Sequence, residues 1–335
     1  MSQLFVPKGY QSMLSVYQTQ NAIGYIKQAF AERLSRALNL KRVTAPLFLT
    51  PESGLNDDLN GVERAVSFDV KETGQTAQIV HSLAKWKRFA LKEYGFPVGE
   101  GLYADMNAVR RDEEMDNLHS IYVDQWDWER VIDADSRNTL FLQRTVTAIV
   151  HAICDTADAV SALYPALSLG LAREVQFITT QALADMYPAL PPKAREDAFL
   201  RIHKTAFIMQ IGDKLRSGER HDGRAPDYDD WSLNGDILFW HDGLQCAFEV
   251  SSMGIRVDSE ALDAQLTKAE CNERRTLPFH AALLAGMLPL TMGGGIGQSR
   301  LCMLLLQKIH IGEVQASLWD EATMRGCADA GIALL

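Results

Sequence analysis

Cysteine is scarce in this chain and poorly arranged for cross-linking or metal binding. The five residues, Cys154, Cys246, Cys271, Cys302 and Cys327, are odd in number, scattered, and never in C-x-x-C or Cys/His spacing. A disulfide scaffold and a zinc centre are thereby excluded, and the thiols read as reduced, small buried hydrophobes. Long apolar runs are missing too. The long uncharged stretches, such as 279–297, are broken by Pro289 and by glycines, short of the roughly 20 apolar residues a membrane helix needs. No membrane partner is expected. At the N-terminus a single Lys8 follows a short apolar patch, unlike the basic-then-apolar order of an export signal, so the expected location is cytoplasmic. Positive charge is in deficit, with 33 Lys and Arg against 43 Asp and Glu and a net charge of -10. That balance argues against nucleic acid as the main partner, although a local basic patch can still hold a small phosphate.

What remains is ordinary globular composition, 47% hydrophobic and 23% charged over 335 residues, with no repeat or biased segment. The length fits two domains or one large catalytic domain. Ile23, Ile26, Phe30, Leu34 and Leu38 fall at helical spacing and predict an amphipathic helix over 17–38. The next segment, 40–49, reads as a strand interrupted by Pro46, which marks an edge or a place where pairing changes hands, and a plausible dimer contact. A short strand at 78–80 leads into a basic helix from His81 to Arg88, and extended runs at 101–109 and 120–129 flank a charged loop as an antiparallel pair. Helices are predicted at 138–162, at 180–187 and after Pro191-Pro192. Strands are expected at 175–178 and 207–211, and a loop at 218–231. A hairpin over 236–257 turns at Asp242-Gly243, and a glycine-rich run, Gly293 to Arg300, leads into a helix reaching Ile309.

The hairpin carries chemistry. If Asp242 and Gly243 are its two loop residues, His241 pairs with Leu244 and, stepping outward, Asp236 faces Glu249. Opposed like charges destabilise a sheet, so a cation must lie between them or one carboxyl must stay protonated. Mg2+ carrying nucleotide phosphates meets that need, whereas a longer loop would leave two unrelated surface acids. On 121–129 the two-residue period puts Gln125, Asp127 and Glu129 on one face and Asp124, Trp126 and Trp128 on the other. A floor of amide and carboxylates suits the ammonium of an amino acid, the alternative being a solvated face. Arg110 and Arg111 open the charged loop, where arginine is suited to bidentate phosphate contact. The glycine run lacks the P-loop and dinucleotide signatures, and offers instead close backbone approach followed by Arg300 at a helix start.

A helix leading to a proline-bearing strand, a strand–loop–strand with Arg110, and a glycine-rich stretch ending in Arg300 resemble the three motifs of the class II aminoacyl-tRNA synthetase catalytic fold. Longer strings are more specific: His81 to Arg88, Gly99 to Tyr103, Tyr122 to Glu129, Arg224 to Trp231, Leu233 to Asp236, Phe248 to Arg256 and Gly293 to Arg300 are similar to ammonia-dependent asparagine synthetases, from about residue 14 to the C-terminus. The resemblance implies an α+β fold, a mostly antiparallel mixed sheet flanked by helices, as one catalytic domain over 14–335 with residues 1–13 as an added arm, forming a homodimer through the first motif. It implies aspartate, ATP and ammonia as substrates and Mg2+ as the metal. Arg110 would hold the α-phosphate, Arg300 the adenine face and distal phosphates, and Asp236 with Glu249 the magnesium. Ser82, Lys87, Gln125 and Asp127 would hold aspartate. Ser251, Ser252 and Arg256 would line the nucleotide side together with Asp229, and Asp57 would be an acid near the ammonia position. Two other readings stand beside it: an aspartyl- or asparaginyl-tRNA synthetase-like enzyme, which should bring an anticodon domain and a basic surface, and a non-catalytic synthetase-like regulatory protein, which should have lost the phosphate and metal groups.

Overall fold

A computed structural model describes residues 4–56 and 63–335. The chain opens with helix α1 (Val16–Leu38), whose first turn is closed by a capping box between Ser15 and Gln18 and whose buried stripe includes Ile23, Ile26, Phe30, Leu34 and Leu38. Asn39 ends it in the left-handed conformation, φ 55°. The segment read as one interrupted strand is two: β1 (Leu40–Arg42) joins the edge of a large sheet, and β2 (Phe48–Leu49) joins a small one. Pro46, which has no N–H to donate, lies in the change-over. The small sheet is completed by β3 (Ser67–Val70) and β4 (Gln75–Ile79) in the order β2-β4-β3.

Helix α2 (Ala84–Glu93) follows, then β5 (Gly101–Val109), β6 (Tyr122–Val131), α3 (Thr139–Leu163), β7 (Gln176–Thr179), α4 (Thr180–Met186), α5 (Pro192–His203) and β8 (Thr205–Met209). The chain continues through β9 (Asp229–His241), β10 (Cys246–Arg256), α6 (Ser259–Lys268), α7 (Pro278–Leu284), β11 (Thr291–Gly297), α8 (Gln298–Leu305) and α9 (Glu321–Asp329). The large sheet runs β1-β5-β6-β11-β10-β9-β8-β7, parallel only at its two ends, β1/β5 and β7/β8. It is an α+β fold with a mostly antiparallel sheet, as expected. Helix α3 is long and apolar enough to cross a membrane by length and composition, but its stripe of Leu142, Val146, Ile149, Val150 and Ile153 belongs to the principal core with α1 and one sheet face.

Three readings are corrected. Strand β9 begins at Asp229, inside the segment read as a loop, and the glycine run is itself strand β11, followed by a helix that stops at Leu305 rather than Ile309. The third correction is the hairpin register. His241 pairs with Cys246, so the loop holds four residues, and Glu249 lies opposite Leu238 rather than Asp236. The cause is the buried His241 ring: its Nδ1 accepts the Leu244 N–H at 3.1 Å and its Nε2 meets the Lys308 carbonyl at 3.0 Å. Gln245 closes the loop at φ 55°, a geometry that overrides the two-residue Asp-Gly turn.

Another buried imidazole gives the fold a pH dependence. His310 is 1% exposed, its Nδ1 accepts from the Gly312 N–H at 3.0 Å, and burial pushes it down to about 4 against the pull of Asp116. The ring is neutral in the folded chain but takes a proton near pH 6.5 once unfolded, so stability drains away as pH falls from there towards 4. Urea unfolding should show a loss of about 1–2 kcal/mol by about pH 5 from this residue, and His310→Gln should flatten that part of the profile.

Candidate active site

The two faces of the sheet have opposite chemistry. Trp126, Trp128, Met253, Phe248 and Ile296 are buried in the core beneath α1, α3 and α8, with Phe30 and Trp126 rings 4.7 Å apart. On the other face β6 presents Gln125 and Asp127, which line a cavity of about 650 Å³ together with Ser82, Arg110, Arg224, Asp229, Glu249, Ser252 and Arg256. The alternation along 121–129 therefore sorts the side chains as expected. The glycines of β11 make this floor possible. Gly295 pairs with Asp127, and a Cβ there would strike the Gln125 amide; Gly293 pairs with Glu129, and a Cβ there would strike the Glu129 carboxylate and the Arg256 guanidinium. Only glycine lets those side chains cross the strand.

Asp127 is held from below and from the side. Lys87 pairs with its Oδ1, and the Leu83 N–H at the start of α2 donates to its Oδ2 at 3.2 Å. Lys87 itself is fully buried, also donating to the Trp128 carbonyl at 2.9 Å, and does not line the cavity. It stands one layer beneath the floor, and burial pulls its ammonium below the ordinary lysine value against the charges of Asp127 and Glu129. Burial alone would raise Glu129, but Arg256 and Lys87 hold it below the ordinary carboxylate range. Arg256 also pairs with Asp229, so a chain of alternating charge, Asp127, Lys87, Glu129, Arg256, Asp229, runs under one wall of the cavity.

The loop that follows β5 brings Arg110 and Arg111 to the cavity among the acids Asp112, Glu113 and Glu114. Arg110, at the end of β5, lines the cavity and also a smaller adjoining one of about 210 Å³ that contains Arg300. Among the described residues its only ion pair is with Glu113 at 4.0 Å, and its buried Nε has no partner. Arg300, in the first turn of α8, donates to the carbonyls of Leu118 at 3.2 Å and Glu249 at 2.9 Å and lies 5.6 Å over the Phe248 ring. Its third contact was not foreseen: the guanidinium is 3.0 Å from His119 Nε2, while His119 Nδ1 is 2.9 Å from Asp116. Arginine can only donate, so Nε2 accepts and Nδ1 donates. Burial opposes ionisation of Asp116, but the contacts from His119 hold its carboxyl down to about 2.

Asp236 and Glu249 share the cavity face in spite of the corrected register. The slip amounts to two residues, which leaves a side chain on its original face. A bulge at Val250 then places Ser252, not Ser251, opposite Asp236. Ser251 pairs with Ile237 and Ile296 on the core-facing register, its Oγ buried and unpartnered among the described residues, and it borders the smaller cavity. Burial and the charge of Glu249 push the Asp236 carboxyl up to about 7 despite an ion pair with Arg224 at 2.6 Å. Two mutually repelling carboxylates, with Arg224 held on Asp236, are a donor set fitted to a divalent cation with phosphate oxygens completing its shell. Among the described residues no group of three or more His, Cys, Asp or Glu side chains is arranged as a complete protein cage. Asp57 lies outside the described residues.

Arg224, His119 and Asp116 are the site residues that sequence reasoning missed. Arg224 stood within a quoted family string, but its partner Asp236 was assigned to the metal alone.

Comparison with known proteins bears on the same site. The sequence model of the aspartate-ammonia ligase family matches residues 17–331. Aspartate–ammonia ligases from Ruminiclostridium cellulolyticum and Clostridium perfringens are each 56% identical over 336 residues, covering 100% of both chains. One from Lactobacillus acidophilus is 56% identical over 334 residues, covering 99% of each. Among solved structures, asparaginyl-tRNA synthetase from Pyrococcus horikoshii complexed with asparaginyl-adenylate aligns with TM-score 0.65 and 12% identity over 90% of this chain and 70% of that one. Aspartyl tRNA synthetase from Entamoeba histolytica aligns with TM-score 0.58 and 16% identity over 91% and 59%. At such identities the likeness is one of fold.

Proposed function

Because the chain belongs to the aspartate–ammonia ligase family, we propose that it makes asparagine from aspartate, ATP and ammonia through a β-aspartyl adenylate, releasing AMP and pyrophosphate. It is an enzyme of the ligase class. The observation that carries the adenylate reading is a single cavity in which an amide-and-carboxylate floor, Gln125 and Asp127, adjoins Arg110, whose Nε is unpartnered among the described residues, and a pair of acids, one of them Glu249 on the cavity wall.

The geometry supports the following division of labour. Gln125 and Asp127 take the α-ammonium of aspartate, with Ser82 at the rim. Lys87 acts through Asp127, fixing the carboxylate rather than touching substrate. A β-carboxylate oxygen attacks the α-phosphorus as the bond to pyrophosphate breaks, and Arg110 neutralises charge on the equatorial oxygens. Arg300, oriented by His119 and the Glu249 carbonyl, faces the nucleotide with Ser251, Ser252, Arg256 and Asp229. Asp236 and Glu249 would hold Mg2+, which supplies charge neutralisation for the triphosphate. In the second half-reaction the ammonia nitrogen attacks the β-carbonyl carbon, AMP leaves with the bridging oxygen, and an ionised carboxylate takes the proton that the nitrogen releases. Asp57 is the proposed base.

The same reading makes the protein a cytoplasmic homodimer joined through α1 and β1, where Met13, Val16 and Tyr17 are exposed. It treats residues 1–13 as an arm on a single catalytic unit, 14–335. In support, Phe5 and Asn117 exchange hydrogen bonds at 2.8 Å and Tyr10 reaches Glu313 at 2.9 Å. Incubation of the chain with aspartate, ATP, Mg2+ and ammonium, without tRNA, should yield asparagine, AMP and pyrophosphate. Product that depends on tRNA would favour the synthetase-like alternative, and no turnover of ATP would favour the regulatory one.

A further inference from the structure

Arg224 is a deeply engaged cation on the nucleotide side. Its side chain is 9% exposed; one end of the guanidinium meets the Ser252 hydroxyl and the other Asp236 Oδ1 at 2.6 Å. Its Nε is buried and unpartnered among the described residues, and the residue lines the cavity. The surroundings offer Asp236 little else. Glu249, on the same face, repels it, and Lys193 is divided between Glu196 at 3.3 Å and Asp222 at 3.5 Å. Burial and two neighbouring negative charges demand a cation, and the chain supplies its own.

We infer that Arg224 is a built-in stand-in for the divalent cation, occupying the Asp236 carboxylate until a metal–nucleotide complex arrives, so that metal enters only with nucleotide. This rests on the proposed assignment of Asp236 and Glu249 to the metal. A free cation must displace a guanidinium that bridges Asp236 and Ser252, leaving a buried charge with only the neutral Ser252 hydroxyl as its acceptor among the described residues, which is costly. A metal bound to a triphosphate brings its own acceptors, and the planar fork of Arg224, with Nε already free, is suited to phosphate oxygens. The arrangement prevents the empty site from filling with free Mg2+ and makes loading of metal and ATP one event.

Mn2+ alone, followed by the loss of its free-ion electron paramagnetic resonance signal, tests this on the full chain. Wild type should bind Mn2+ weakly without nucleotide. Arg224→Gln should bind about one per chain at least tenfold more tightly, and adding Asp236→Asn should remove the gain. Equal Mn2+ affinity in wild type and Arg224→Gln overturns the inference. A companion titration with α,β-methylene-ATP separates the two readings. If Asp236→Asn alone does not weaken Mn2+ retention with that analogue, the metal assignment itself is wrong; if it does while Arg224→Gln gains nothing, only the stand-in role is wrong. Should Arg224→Gln lose its far-ultraviolet circular dichroism, Arg224→Lys carries the test. An ammonium cannot bridge Ser252 and Asp236 as the fork does, so this variant binds Mn2+ more tightly than wild type if the inference holds and no more tightly if it fails.

Discussion

Replacing Arg110 by alanine should lower aspartate-dependent exchange of pyrophosphate into ATP by about 10²–10³-fold, the effect of deleting one preorganised donor from a developing charge. The expectation follows from how little Arg110 does for the fold. Among the described residues its guanidinium has no ion-pair partner nearer than Glu113 at 4.0 Å, and its Nε has no partner at all. Removing it should leave the melting temperature within a few degrees of wild type. Gln125 and Asp127, the residues proposed to hold aspartate, come from β6 and not from the loop that carries Arg110, so KM for aspartate should change far less than kcat. Arg110→Lys should recover part of the rate, because it restores the charge without the planar fork. Undiminished exchange in Arg110→Ala would remove the residue from the mechanism.

Arg256→Met should instead be a stability variant. Arg256 is 4% exposed and lies between Glu129, its Nη2 3.0 Å from Oε2, and Asp229. Truncating the charge strands two buried carboxylates, with Lys87 3.8 Å from Glu129 as the remaining cation. Breaking a buried pair from one side costs about 3–5 kcal/mol. The sign of the pH dependence is distinctive. Once Arg256 is gone, burial raises the folded-state pKa of Glu129 with only Lys87 opposing it, so the folded variant takes up a proton before the unfolded chain does. The deficit relative to wild type should therefore narrow as pH is lowered towards the carboxylate range. Urea midpoints compared at neutral and mildly acid pH read this directly, and a deficit independent of pH would mean that lost packing, not stranded charge, explains the loss.

How much of this was legible in sequence depended on the range of the interactions involved. The amphipathic stripe of α1 and the alternation of β6 are local periodicities, and both were readable to within a residue or two at their ends. The pairing of Asp236 with Glu249 was read from a turn dipeptide and came out displaced, because the loop is set by His241 reaching the Lys308 carbonyl, 67 residues away. The shared face nonetheless survived, since a two-residue slip conserves parity. The glycines of β11 were legible as a demand for close approach, but not as room for Gln125, Glu129 and Arg256, which come from other strands. His119 beside Arg300, separated by 181 residues, left no local signal. Nor did the grip of Arg224 on Asp236, where two residues suited to phosphate or metal bind one another.

In the proposed mechanism aspartate's own side-chain oxygen attacks the α-phosphorus in this cavity. The most direct measurement uses aspartate carrying 18O in the β-carboxylate, with ATP, Mg2+ and ammonium, and mass analysis of the nucleotide product. One 18O atom is expected in the phosphate of each AMP formed with asparagine. Unlabelled AMP, or label in inorganic phosphate accompanied by ADP, would contradict it.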